Sequence, residues 1–176
     1  LALSSRHRGQ LKGIESADSV TVSTHKLMFQ PTESAIVMFR DAEKSDAVLE
    51  FAGPDDTTQI GLLGSRADRS LALALLLLAY GEQGVARWVD SGIEAMMKVA
   101  DYLRTRDDVE VFNSPTSCVL LWRPLRERTD DLLPRLGRRV AGLGIAAGRR
   151  WVRPVGSNPL VDVEARIEQD AVDLDR

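Results

Sequence analysis

The residues with the most chemistry to offer stand together at "STHK": Ser23, Thr24, His25 and Lys26. Lysine is scarce here. Lys12, Lys26, Lys44 and Lys98 are the only four among 23 residues of Lys and Arg type. A lysine that forms a Schiff base must reach an aldehyde and be partly desolvated, so that its amine is neutral often enough to react. A strand end opening into a cleft meets both needs, because open α/β sheets bind ligands at the carboxyl ends of their strands. Ser23, Thr24 and His25 could offer hydroxyls, amides and an imidazole to a phosphate. On residue types alone, the alternative is a solvent-exposed loop lysine beside an ordinary histidine.

The elements that must position this group follow from the hydropathy pattern. "SVTV" (19–22) is rich in β-branched residues and reads as a strand. "SAIVMF" (34–39) is nearly continuous and apolar, as in a sheet covered on both faces. "KLMFQPTE" between them carries Pro31 and reads as a loop. Residues 41–61 read as a charged surface connection. A helix begins at Ser65 or Arg66, and Leu71 to Leu78 are apolar on all sides, which predicts full burial. Gly81 and Gly84 are expected to end it. The next helix, about 85–105, shows a stripe of Val85, Trp88, Val89, Ile93, Met96, Ala100 and Leu103, with Arg87, Asp90, Glu94, Lys98 and Asp101 opposite.

Beyond "RTRDD", "VEVFN" and "SCVLLWRP" read as two strands joined by a Ser-Pro turn. A helix carrying Leu132, Leu133, Leu136, Val140 and Leu143 follows. "IAAGRRWVRPV" reads as one weak strand, and a last helix begins at Asn158-Pro159. The order β-β-α-α-β-β-α-β-α is an α/β organisation with a break near 105.

Composition narrows the function. A formal charge of −3 argues against a broad nucleic-acid surface. One cysteine, Cys118, allows no intrachain disulfide, suits a reducing compartment, and is expected to be buried. "LALALLLLAY" is about half the length a bilayer span needs. A cytoplasmic protein with no membrane or nucleic-acid partner and no metal site is the expectation.

"ADSVTVSTHKLMFQPTESAIVMFRD" resembles the cofactor-lysine segment of the group II pyridoxal-phosphate decarboxylases, the family of glutamate, aromatic amino acid and diaminobutyrate decarboxylases. Ala17-Asp18-Ser19, Ser23, His25-Lys26 and Arg40-Asp41 match in register. "LSSRHRGQLKGIE" upstream, "LGSRADRSLALALLLLAYGEQGVARWVD" and "VRPVGSNP" downstream resemble further segments in the family's order. Phe29-Gln30-Pro31 is nearest to the diaminobutyrate type. Thr24 stands where the family often has Pro or a small residue. Ser65-Arg66-Ala67 replaces a common Arg-Arg-Phe.

The resemblance implies an α/β fold: the C-terminal part of a fold type I PLP-dependent transferase-like large domain (1–84), a connecting helix (85–105) and the small C-terminal domain (106–176). Lys26 would carry pyridoxal 5'-phosphate as a Schiff base, with His25 and Ser23 near the phosphate. Ser65 would reach the phosphate of the neighbouring subunit. Arg153 would face the substrate carboxylate, against the plainer reading of an exposed arginine. The implied reaction is decarboxylation of an L-amino acid, with "FQPTESA" hinting at a small polar or acidic one. Complete family members carry a long portion before the lysine that pairs the pyridine nitrogen and stacks on the ring. The expectation is therefore a subunit or fragment, competent only with a partner chain supplying the N-terminal half, as a dimer of heterodimers or higher oligomer. The alternatives are a non-catalytic structural subunit, or other carbanion chemistry on the same cofactor.

Overall fold

The computed structural model of the chain describes residues 1–28, 30, 34–41, 43, 70–126, 129 and 143–155. Two short 3-10 turns, Arg8–Leu11 and Ile14–Ser16, lead into strand β1, Ser19–Ser23. A single helical turn, α1 (Thr24–Leu27), follows directly, and β2 spans Ala35–Phe39. β1 and β2 pair antiparallel, from Ser19 opposite Phe39 to Ser23 opposite Ala35. The period-2 alternation of side chains then sorts the two faces. Val20, Val22, Ile36 and Met38 share one, and Ser19, Thr21, Ser23, Ala35, Val37 and Phe39 share the other.

Arg40 closes this hairpin. Its guanidinium donates to the Asp18 carboxylate at 2.7 Å and to the Ser16 carbonyl at 3.2 Å, and its backbone N–H donates to the Asp18 carbonyl. The "ADS" and "RD" ends of the motif thus meet across the sheet, which gives a physical reason for their joint presence.

Helix α2, Ser70–Arg104, is two arms joined at Gly81, whose φ of 63° and ψ of −178° are non-helical. That region is open essentially to glycine alone. Gly84 is required for a different reason. A Cβ there would lie 2.7 Å from the Cβ of Tyr80. Its absence lets Tyr80 of the first arm reach Trp88 of the second, ring centroids 4.7 Å apart. Gly81 therefore breaks the helix, while Gly84 lies inside the second arm and is buried there. The sequence reading had both glycines as terminators.

The second arm behaves as its stripe predicts. Val85, Val89, Ile93, Met96, Ala100 and Leu103 are buried, and Trp88 is half-buried. The first arm does not. Leu71, Leu75, Leu77, Leu78 and Tyr80 are exposed, Leu78 to 82%. Val37, Met38 and Phe39 on β2 are exposed as well. The expectations of full burial for 71–78 and of a doubly covered β2 are thus not met among the described residues. Periodicity reports what a segment needs covered, and these surfaces find only partial cover among the described residues.

The second sheet is antiparallel in the order β3 (Val109–Val111), β4 (Trp122–Pro124), β6 (Arg149–Val152), β5 (Leu143–Ala146). Met96, Ala100 and Leu103 from α2 pack with Val109, Leu120, Trp122 and Val152 in its core. Asn113 holds the β3–β4 connection, donating to the Val119 carbonyl and accepting from the Leu121 N–H. "IAAGRRWVRPV" is a hairpin rather than one strand. Ala146 pairs with Arg149 across a two-residue turn in which Ala147 (φ 48°) and Gly148 (φ 69°) are both left-handed, the type I′ pattern that suits strand twist. Trp151 is buried beneath it, in tilted contact with Phe112 at 4.9 Å between ring centroids, with its indole N–H given to the Ala146 carbonyl. Among the described residues no helix is long and apolar enough to cross a membrane. Leu143, expected on the helix after 130, instead opens β5, where it pairs with Val152; the rest of that helix and the one expected after 158 lie outside the described residues.

Candidate functional site

β1 ends at Ser23, where φ −80° and ψ 100° are still extended, and the chain winds at once into α1. Four residues make one turn, too few to be stable without outside contacts. Ser23 makes no side-chain capping bond, so its half-buried hydroxyl is not used by the helix. Thr24 supplies the outside contact. It is fully buried, and its Oγ1 lies 2.9 Å from the Ser34 carbonyl and 2.6 Å from Ser34 Oγ. Ser34 is the residue just before β2.

His25 and Lys26 are carried on that turn. His25 is half-buried, and its Nδ1 is a buried polar atom with no hydrogen-bond partner among the described residues. Lys26 is exposed, and its amine has no partner among the described residues. Gln30 is buried as well, donating from Nε2 to the Met28 carbonyl at 3.0 Å while its Oε1 has no partner among the described residues. Buried polar groups without partners are uncommon and call for an explanation. Here two of them belong to residues one before and four after Lys26 in the chain. The segment thus offers an exposed primary amine, an imidazole nitrogen, a hydroxyl and an amide oxygen.

The other expected positions fare differently. Ser65 lies outside the described residues. Arg153 is exposed just past β6, in the second sheet rather than on the β1–α1 segment. Its guanidinium makes no hydrogen bond or ion pair among the described residues. Cys118 is half-buried, and desolvation pushes its thiol up from the usual range, which leaves it a poor nucleophile. The sequence offers the Thr24 hydroxyl to a phosphate and marks the residue as a departure from Pro, whereas the structure buries that hydroxyl against Ser34. The available signal was a pair of hydroxyl residues, Thr24 just after one strand and Ser34 just before its partner.

An open groove of about 450 Å³ lies elsewhere, lined by Leu3, Ser5, Glu82, Gln83, Ala86, Arg87 and Asp90. It contains none of the expected site residues. Beside it the N-terminal segment is tied to α2: Ser4 donates to Asp90 at 2.5 Å, and Arg6 pairs with Glu94.

Comparison with known proteins follows the same lines. The family described as "Pyridoxal-dependent decarboxylase conserved domain" matches residues 1–123. The aspartate 1-decarboxylase of Aliivibrio fischeri is 29% identical over 127 residues, 69% of this chain and 23% of that protein. The L-2,4-diaminobutyrate decarboxylase of Rhizobium meliloti is 26% identical over 137 residues, 72% of this chain and 28% of that protein. The aligned part thus spans about a quarter of these relatives' length. Among solved structures, mouse CSAD in apo form superposes with a TM-score of 0.81 at 24% identity, over 98% of this chain and 42% of that one. The glutamate decarboxylase domain from Vibrio parahaemolyticus, of a protein described as diaminobutyrate-pyruvate transaminase and L-2,4-diaminobutyrate decarboxylase, gives 0.74 at 23% identity, over 97% and 37%. At these identities the superpositions speak for the shared α/β fold.

Proposed function

Since the chain belongs to the pyridoxal-dependent decarboxylase family, whose cofactor is pyridoxal 5'-phosphate, we propose that it is the lysine-bearing part of an L-amino acid decarboxylase. The observation that carries this reading is the exposed Lys26 next to the half-buried His25, the Lys26 amine and His25 Nδ1 both without a partner among the described residues. The donor set fits the cofactor. Lys26 is its covalent anchor, and the Ser23 hydroxyl and His25 Nδ1 receive its phosphate side. Ser65 contributes to the phosphate of a neighbouring subunit, and Arg153 meets the substrate carboxylate. When bound, the cofactor's ring takes up the electron pair left as CO2 departs. The protein's own part is to hold Lys26 in place and to keep polar groups ready on either side.

The apolar first arm of α2 and the exposed face of β2 support a second element of the proposal. In the working enzyme they are covered by the N-terminal half of the same fold, from a partner chain or from more of the same polypeptide. Exposed apolar surface on this scale is characteristic of an interface. Residues 1–84 then form the C-terminal part of the large domain, 85–105 a connecting helix and 106–176 the small domain. The assembly is a dimer of such pairs or larger, working in the cytoplasm. Relatives named for aspartate and diaminobutyrate favour a small polar or acidic amino acid as substrate.

The test is CO2 release from a panel of L-amino acids by the assembled protein. Activity that falls to background in Lys26→Ala supports the reading. Undiminished activity in that variant rejects it in favour of a structural subunit.

A further inference from the structure

We infer that the Thr24–Ser34 hydroxyl pair is a positioning clasp that sets the direction of Lys26. This rests on the reading of Lys26 as the cofactor anchor and adds a residue to it. Thr24 is 0% exposed and Ser34 is 6% exposed, so both hydroxyls have left water and need each other. Each hydroxyl has one proton. The arrangement that satisfies both has Thr24 Oγ1–H donating to the Ser34 carbonyl (2.9 Å) and Ser34 Oγ–H donating to Thr24 Oγ1 (2.6 Å).

The geometry links this pair to the amine. Successive helical residues turn by about 100°, so Thr24 and Lys26 point about 200° apart around α1. Fixing Thr24 inward turns Lys26 outward. α1 has only its one turn, with the Met28 N–H closing on the Thr24 carbonyl at 3.0 Å and no side-chain cap from Ser23. Among the described residues the clasp is the side-chain hydrogen-bond tether of α1, alongside its packing on β2 and α2. It also spans the mouth of the hairpin, one residue beyond the last β1–β2 pair, Ser23 with Ala35. A lysine on a frayed turn would sample many directions, and reaction rates are steep in such misplacement.

The experiment uses the assembled protein, stripped of cofactor, in wild-type, Thr24→Val, Thr24→Ser and Ser34→Ala forms. Pyridoxal phosphate is added, borohydride is introduced at timed intervals, and the adduct at Lys26 is quantified by peptide mass spectrometry. Amide hydrogen exchange at residues 24–28 is followed in parallel without cofactor. Thr24→Val keeps the shape and loses the hydroxyl. It is expected to slow capture at Lys26 by about tenfold or more, well below its melting midpoint, and to raise exchange at Met28. Thr24→Ser is expected to restore both. Ser34→Ala keeps the bond to the carbonyl and is expected to fall between. Wild-type capture at Lys26 with an unchanged rate and unchanged exchange in Thr24→Val overturns the clasp alone. No capture at Lys26 in wild type overturns the anchor reading and the clasp with it. If Thr24→Val does not fold, the decision passes to Ser34→Ala. Capture and exchange equal to wild type in that variant reject the clasp.

Discussion

The two arms of α2 both carry large apolar residues, the first on all sides and the second as a stripe opposite charged residues, and those residues meet opposite fates. Leu71, Leu75 and Leu78 of the first arm are exposed, whereas Val85, Val89 and Ile93 of the second are buried, Ile93 to 1% exposure. The second arm finds its cover within the chain, in part the sheet that carries Val109, Trp122 and Val152. The first arm and β2 are only partly covered among the described residues, with Leu73, Leu76 and Ile36 half-buried and their apolar neighbours exposed. Hydrophobic burial scales with area removed from water, whichever polypeptide supplies the cover. The exposed arm is thus best read as half of a core, and it lies in the same part of the chain as the candidate site.

The sharpest way to break this comparison is a matched pair of truncations. Ile93→Ala should cost ~2–5 kcal/mol of unfolding free energy in the chain alone, by lost transfer energy and a cavity. Leu78→Ala should cost under ~0.5 kcal/mol there, and ~2 kcal/mol or more in the covered assembly. Equal costs in the isolated chain, measured by urea unfolding, would mean that the first arm is already packed.

The joint between the arms comes next. Gly84→Ala places a Cβ against Tyr80 and should destabilise by ~1–3 kcal/mol, with the Tyr80–Trp88 contact disturbed. Gly81→Ala forces alanine into a glycine-only backbone region, at a similar cost of ~1–3 kcal/mol. Trp fluorescence during thermal melting distinguishes them from wild type. If Gly81→Ala is neutral, the arms are not held at a fixed break.

The smallest effect is electrostatic and belongs to the packed side. Arg106 binds Asp108 through two bonds of 2.8 Å, and the first of the causes that lower the Asp108 carboxyl below its ordinary range is that bond. A carboxyl lowered on folding stabilises the protein above its unfolded value of about 3.9. That contribution is lost as pH falls through the lower folded value. Asp108→Asn should therefore lose a little stability at neutral pH and flatten the acid limb of a melting-temperature profile. The pair is partly open to water, so the change is small. An unchanged acid limb would assign it to other carboxylates.

What the sequence revealed follows the same division. The stripe from Val85 to Leu103 was legible because its periodicity and its cover lie in one chain. Leu71 to Leu78 announced a need for burial, but sequence does not say which polypeptide meets it. The β5–β6 hairpin was missed because Ala147 takes the left-handed place where Asn, Asp or Gly is the usual signal. At the site, "HK" and the match of 17–41 pointed to Lys26. The tether did not show, because Thr24 and Ser34 are ten residues apart and become partners only once β1 and β2 pair.

The account stands most directly on one measurement. The assembled protein, saturated with pyridoxal phosphate, is reduced with borohydride, digested, and its lysine-containing peptides are weighed. The account predicts a phosphopyridoxyl adduct on the peptide carrying Lys26, none on those carrying Lys12, Lys44 or Lys98, and no adduct in Lys26→Ala. A saturating adduct on another lysine, or one that survives Lys26→Ala, would contradict it.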